Sequence, residues 1–255
     1  MTKEKTQFIK NYKKGIPQLL KKELIADIET PFSSLLKINK SEKYSFLLES
    51  VQGGSNKGRY SLLGCNPDLI WKVERGKAQI KYLEHDYEYK LHINPIVSLK
   101  ELVKISKFKN TQNQVPFPTL VGYLGYPMIQ YIENIKLENK DNINIPDAML
   151  IRPKIVAVFD NIKDIISLMT VTYPSKKISA QSAYKKNKLL LDKTIKKLES
   201  SILKPAKNKN RKSKLTFKSN IREEQFYKVV NKAKEYIKNG DIFQVVPSQR
   251  FETKY

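Results

Sequence analysis

Cysteine occurs once, as Cys65, and histidine twice, as His85 and His92. A lone thiol excludes a disulfide framework and a cysteine-rich metal site. The two histidines have no carboxylate at ligand spacing, so they are expected as solvated strand residues and no metal site is predicted. Long apolar runs are missing too. Ile155 to Phe159 is among the longest and falls far short of a bilayer, and Met1 is followed by Thr-Lys-Glu-Lys instead of an apolar signal core. The expectation is a soluble, cytoplasmic protein without a membrane partner. Acids are scarce, 25 against 48 Lys and Arg, which leaves a formal net charge of +23. Apolar material is plentiful: 255 residues that are 40% hydrophobic and 10% aromatic can build a core, so the chain is no disordered polycation.

The charge invites a nucleic-acid reading, but arginine is the residue suited to two-point recognition of bases and phosphates. It is confined to Arg59, Arg75, Arg152, Arg211, Arg222 and Arg250, and every other base is lysine. Lys204, Lys207, Lys209, Arg211, Lys212, Lys214 and Lys218 fall between Ser201 and Asn220 with no acid among them, while the rest is spread along helix faces and loops. Such a pattern is solvation first, and no nucleic-acid partner is expected.

Along the chain, Ile16 to Leu24 carries Pro17 and then Leu19, Leu20 and Leu24 on a helical period, which predicts a short helix. From Phe32 to Leu91 the pattern becomes a meander of short strands: Ser34 to Ile38, Tyr44 to Val51, Arg59 to Leu63, Leu69 to Val73, Ala78 to Leu83 and Tyr87 to Leu91. Gly53-Gly54, Asn66-Pro67 and Arg75-Gly76 are the expected turns. Ile96 to Ile105 has helical spacing, and Asn110 to Pro118 is a polar loop. A glycine-interrupted apolar run, Leu120 to Tyr126, precedes a second polar loop, Asn134 to Asn144. Ile155 to Phe159 and Ile165 to Val171 form a hairpin around Asp160 to Asp164. Ser179 to Ile202 is an amphipathic helix with Tyr184, Leu189, Leu191, Ile195, Leu198 and Ile202 as apolar positions. Lys204 to Ser219 has the composition of a linker. Asn220 with Glu223 resembles a capping box, Phe226, Val229, Val230, Ala233 and Ile237 share a helix face, and Asn239-Gly240 ends that helix. Ile242 to Phe251 is the strand that follows. A helix and one strand cannot bury their own apolar faces, so the tail is expected to open a second unit.

Several motifs are weak. Gly53 to Tyr60 approaches a phosphate loop, but Arg59 and Tyr60 replace the lysine and the hydroxyl, and a strand follows where a helix is needed; it is expected as a hairpin turn. No Gly-x-Ser-x-Gly elbow occurs, and Cys65 is expected to pack as a small apolar residue. Two constellations carry more. In the Tyr44 to Val51 strand, Phe46, Leu48 and Ser50 share a face, so a hydroxyl ends an apolar row. Glu49 and Ser50, facing Arg59, Tyr60 and Ser61, could hold the ammonium and carboxylate of an amino acid; a satisfied serine beside a surface ion pair is the competing reading. Around Gly240 to Phe251, alternation separates Phe243, Val245 and Phe251 from Gln244, Ser248 and Arg250, with Pro247 forcing an edge or bulge. That polar row faces either water or a polar substrate, and spacing leaves both open.

At these motifs the sequence resembles the anthranilate synthase component I family of chorismate-utilising enzymes. The matching stretches are Asp27-Ile-Glu-Thr-Pro-Phe-Ser-Ser34, Phe46-Leu-Leu-Glu-Ser-Val51, Gly58-Arg-Tyr-Ser61, Val121-Gly-Tyr-Leu-Gly-Tyr126, Gly240-Asp-Ile-Phe-Gln-Val-Val246 and Ser248-Gln-Arg-Phe251. The resemblance implies an α+β fold of orthogonally packed antiparallel β-sheets flanked by helices. It further implies a regulatory domain over residues 1–203, a basic linker over 204–219 and the start of a chorismate-binding catalytic domain over 220–255. Ser50 and Glu49, with Tyr60 and Ser61 as neighbours, are then the positions for L-tryptophan in a feedback site. Gln244 lines the substrate pocket, where related isochorismate and salicylate synthases carry a lysine that activates water, so glutamine matches the branch in which ammonia attacks.

By the same resemblance, the parent enzyme converts chorismate and ammonia, delivered by a glutamine amidotransferase subunit (component II), to anthranilate and pyruvate with Mg²⁺. Its catalytic histidine, Mg²⁺-binding glutamates and substrate arginine all lie downstream of the last strand of this sequence, as does a proline-tyrosine-methionine wall of the tryptophan site. No catalytic residue and no metal ligand is therefore expected within these 255 residues. Aminodeoxychorismate synthase component I and a free-standing tryptophan-sensing or subunit-binding module are the alternatives.

Overall fold

The structure is a computed structural model that describes residues 2–39, 43–51, 57–83, 89–92, 94–108, 117–137, 143–201 and 215–253, with the backbone alone at 51, 57 and 89–92. In chain order the elements are α1 (Lys3–Lys13), β1 (Gln18–Ile25), α2 (Pro31–Ile38), β2 (Ser45–Val51), β3 (Lys57–Glu74), β4 (Lys77–Tyr82), β5 (Tyr89–His92), α3 (Pro95–Ile105), β6 (Val121–Leu124), a 3₁₀ helix (Tyr126–Tyr131), β7 (Ala148–Asp160), β8 (Ile165–Thr172), α4 (Ala180–Glu199), β9 (Lys218–Ser219), α5 (Glu223–Lys238) and β10 (Phe251–Glu252). They fall into two compact units, Met1–Ile202 and Leu203–Tyr255.

Two long antiparallel strands, β3 and β7, are the spine of the first unit. They belong to an eight-stranded sheet of order β1-β8-β7-β3-β4-β5, with β2 also on β3 and β6 also on β7. Every described strand pair in it is antiparallel. One end of the spine thus carries β2, β8 and β1, and the other carries β4, β5 and β6. The hairpin predicted around Asp160 to Asp164 is present, with Asp164 in the left-handed region at φ 51°. The architecture is α+β, an antiparallel sheet flanked by helices.

The break between the ends is written in the sequence. Asn66-Pro67, expected as a turn, lies inside β3, where Asn66 takes φ 51° and Pro67 faces Pro153 of β7 before the register shifts. Proline has no N–H to give a ladder, so two opposed prolines sit where the pairing is already broken. Arg59 to Leu63 and Leu69 to Val73 are consequently one strand.

Three other expectations give way. Residues 18–25 form strand β1 against β8, not a helix. A nine-residue helical period is marginal on its own, and this segment is needed to cover a sheet edge; Leu20 and Leu24 then pack on one face and Leu19 on the other. Ser34 to Ile38 belongs to helix α2 because Thr30 accepts from the Ser33 N–H, Thr30 N–H donates to Ser33 Oγ, and Pro31 occupies the first turn. Helix α1, which the period reading passed over, buries Phe8 and Tyr12 four residues apart.

The helices cover one face of the sheet. Phe8, Tyr12, Ile38, Tyr184, Leu191 and Leu198 meet Leu20, Leu63, Cys65, Ile155, Ala157, Phe159, Ile166 and Leu168. A second core joins Leu69, Trp71, Val73 and Ile80 to Leu102 of α3 and Met128, and the fully buried Trp71 donates to Ser98 Oγ at 2.9 Å. Leu189 of α4 is half exposed, on the outer side of the helix.

In the second unit α5 begins after Arg222, whose N–H donates to Gln225 Oε1. Asn220 does not cap it: its Oδ1 accepts from Arg250 N–H at 2.7 Å and its own N–H donates to the Arg250 carbonyl. Only Phe251–Glu252 of the expected Ile242 to Phe251 strand is a strand, paired with Lys218–Ser219. A strand needs a partner ladder, and the described residues of this unit supply two residues of one. The expected linker core, the Gly53-Gly54 turn and His85 lie outside the described residues.

Candidate functional site

Strand β2 runs antiparallel to β3 from Ser45 opposite Cys65 to Glu49 opposite Ser61, and then the register slips so that Val51 faces Lys57. Ser50 alone therefore faces Gly58, Arg59 and Tyr60. The bulge lies at the residue the alternation singled out, and such bulges re-aim side chains at the ends of pairing.

Glycine makes the approach possible. A Cβ on Gly58 would collide with Ser50 Oγ and Cβ, so the serine side chain lies on the bare Gly58 backbone. Phe46 uses Gly64 in the same manner, its ring occupying the space a Cβ would need. Phe46, Leu48 and Ser50 thus form the predicted row, with Leu48 47% exposed and Ser50 open to solvent.

The four predicted residues divide between two sides of the strand pair. Glu49 is exposed and lies opposite Ser61, which is buried and alternates with Leu63 and Cys65 toward the helix-covered core. Tyr60 is half-buried beside Val156, Val158 and Met169 on the other face. Arg59, the cation expected to face Glu49, turns to Asp160 instead: Nη2 donates to Oδ2 at 3.0 Å and Nε to Oδ1 at 3.3 Å. Its guanidinium also lies 4.8 Å from the Tyr60 ring centre. These hydrogen bonds from Arg59 hold the Asp160 carboxyl below the usual carboxylate range.

A second tie comes from the next residue. Asn161 Nδ2 donates to the Gly58 carbonyl at 2.7 Å, and Asn161 N–H donates to the Arg59 carbonyl at 2.8 Å. The β7–β8 turn therefore clasps the bulged start of β3 and fixes Gly58 beneath Ser50. Sequence reasoning took Asp160 and Asn161 for turn formers and missed this; an acid and an amide in a turn, with an unmatched arginine beside a glycine elsewhere, were the available signal.

Chemically, the site offers an exposed hydroxyl on a bulge, a carboxylate one residue away and an aromatic ring beside a guanidinium. These groups suit a polar ligand, and among the described residues the site brings together no nucleophile and base. Gln244 is exposed in a segment of the second unit without regular structure. Among the described residues no group of three His, Cys, Asp or Glu side chains could hold a metal ion, and no described helix is long and apolar enough to cross a membrane.

Comparison with known proteins meets this geometry. Proteins called anthranilate synthase component 1 are 34% identical over 250 residues in Cereibacter sphaeroides and 35% identical over 235 residues in Acetivibrio thermocellus. The alignments cover 96% and 89% of this chain but 50% and 47% of the relatives, so the chain spans about half the length of the curated relatives it matches. The crystal structure of anthranilate synthase component I from Streptococcus pneumoniae TIGR4 shares the fold, with a TM-score of 0.55 at 24% identity over 89% of this chain and 48% of that one. The model of the chorismate binding enzymes matches residues 44–255, and the chain belongs to that family.

Proposed function

We propose that this chain forms the effector-binding face and the opening of the chorismate-binding unit of an anthranilate synthase, the enzyme that makes anthranilate and pyruvate from chorismate and ammonia. Residues 1–203 are the regulatory unit, 204–219 the linker, and 220–255 the start of the unit that holds chorismate. The observation that best supports this reading is the bulge at Ser50. The motif by which the sequence resembles the anthranilate synthases falls where a glycine, an Asp-Asn turn and an ion pair combine to hold one exposed hydroxyl.

In this reading Ser50 and Glu49 bind the polar end of L-tryptophan, Tyr60 lends an aromatic surface, and Ser61 supports the strand from below. Gln244 lines the substrate pocket and, lacking a basic nitrogen, leaves attack to ammonia from a glutamine amidotransferase partner, component II. Mg²⁺, which would neutralise the substrate carboxylate, has no three-ligand site among the described residues. The 255 residues by themselves are inactive.

The test uses the enzyme as the cell assembles it, with anthranilate fluorescence as the readout. Ser50→Phe should raise the tryptophan concentration for half-inhibition at least roughly tenfold, as expected when about 1.4 kcal/mol of effector binding is lost, with kcat within about twofold. Inhibition that is unchanged would remove Ser50 from the effector site, and an assembled enzyme that makes no anthranilate would overturn the activity.

A further inference from the structure

The backbone beneath Ser50 lies outside the sheet's pairing on both sides. The pairing of β3 with β2 passes from Ser61 to Lys57, and its pairing with β7 begins at Tyr60 opposite Asp160, so Gly58 and Arg59 have no register partner in either ladder. Yet Gly58 is the floor on which the serine rests: a Cβ there would stand 2.3 Å from Ser50 Oγ and 2.4 Å from Ser50 Cβ. Gly58 is also buried, so its carbonyl must find a donor within the protein.

The turn between β7 and β8 supplies that donor. Asn161 Nδ2 reaches the Gly58 carbonyl at 2.7 Å, Asn161 N–H reaches the Arg59 carbonyl, and the Asp160 carboxylate accepts from the Arg59 side chain. Asp160 closes the turn as well, its Oδ1 accepting from Ile162 N–H and its carbonyl from Lys163 N–H, each at 3.2 Å. The three ties to β3 are not equal. The bond from Asn161 N–H belongs to the backbone and survives any substitution except proline. The Arg59 side chain is 45% exposed, and an ion pair that wet contributes little. The Asn161 amide is the one side-chain group of the turn that holds the floor itself. Asn161 is exposed and its φ lies outside the left-handed region, so a shorter residue fits there without backbone strain or an empty core site.

We infer that Asn161 is a positioning residue for the effector site: its amide fixes Gly58 beneath Ser50 and thereby sets how tightly the amino acid on Ser50 is held. This rests on the reading of Ser50 as an effector residue. Without the amide, the bulge must be ordered when the effector arrives, and that cost is taken from the effector's affinity. Chorismate turnover does not pass through this contact, so potency changes while turnover does not.

The experiment is tryptophan inhibition of the assembled enzyme, read by anthranilate fluorescence. Asn161→Ala should raise the half-inhibiting concentration by roughly two- to tenfold, the worth of one hydrogen bond, with kcat and the chorismate KM within about twofold. Asn161→Asp, equal in size and unable to donate when ionised, should raise it at least as far. In a Ser50→Ala background, Asn161→Ala should add little, because the two residues act in series. Ser50→Phe is the control. Wild-type inhibition in both Asn161 variants, with Ser50→Phe desensitised, overturns the proposal and leaves the effector reading standing. Full additivity with Ser50→Ala overturns it too, as does a kcat that falls together with potency, the mark of a general loss of structure. Unchanged inhibition in Ser50→Phe removes the effector reading and this proposal with it.

Discussion

Helix α4 buries Ala183, Tyr184, Asn187, Leu191, Thr194 and Leu198, whereas α5, with Phe226, Val229, Val230, Ala233 and Ile237 along one side, buries none of its residues. Both are lysine-rich and amphipathic, and both end in basic residues suited to a helix C-terminus. The difference lies in what each finds to cover it. α4 meets β8, α1 and α2, and Lys37 of α2 donates to the Leu198 carbonyl at 2.7 Å. The described strands of the second unit are two residues long each and offer α5 no comparable surface. An apolar stripe states a requirement for cover, and tertiary neighbours decide whether it is met.

Trp71 is the only tryptophan and sits in the first unit's core, so its fluorescence gives a direct way to break that contrast. In urea unfolding, Leu191→Ala should lower stability by about 2–5 kcal/mol, the range for emptying a packed leucine site. Val230→Ala should move the same transition by less than about 0.5 kcal/mol, as for a surface change. Equal shifts would mean that α5 is as well covered as α4.

Next in size is the buried lysine, which has no counterpart on α5. Burial first and the Lys186 charge second push the Lys154 ammonium from an ordinary 10.5 down to about 8. Between those values the unfolded chain binds the extra proton, so stability rises with pH through that window, by on the order of 3 kcal/mol. Tyr173 acts oppositely: raised by burial from 10.0 to about 12, it withdraws stability as pH climbs through that interval. Lys154→Met should erase the rise and leave the fall, which denaturant midpoints from pH 7 to 12 would reveal.

The smallest effect is at the clasp. Asp160 should titrate below the usual carboxylate range in carboxyl NMR, and Arg59→Ala should return it to that range. Its contribution is present above the ordinary carboxylate pKa and is lost as pH falls through the depressed value. An Asp160 that titrates normally in the wild type would mean that the ion pair does not persist in solution.

Local pattern carried the reading of the sequence wherever pattern and partner agreed. Ile96 to Ile105, the 155–171 hairpin and the long helix after Ser179 were all legible from spacing. Residues 18–25 were not, because Leu19, Leu20 and Leu24 satisfy a helical period and a strand buried on both faces equally well. The helix start at Thr30-Pro31 with Ser33 was passed over in favour of the apolar run behind it, Ser34 to Ile38, read as a strand. At the site, alternation found Ser50 and its row. The register slip beneath it depends on which β3 residue pairs with which, and the clasp from Asp160 and Asn161 arrives from 100 residues away, so neither was accessible locally. Lys154 was hidden in another way: it borders an apolar run, and nothing nearby in sequence shows that a charge is buried there.

The facing prolines of β3 and β7 have a further consequence. Neither Pro67 nor Pro153 has an amide proton, so hydrogen exchange has no reporter at the row where the sheet is weakest. Slowly exchanging amides should cluster in two patches, one around Leu63 and Ala157 and one around Trp71 and Leu150. If those patches open with different free energies, the long sheet behaves as two cooperative units joined by a silent seam.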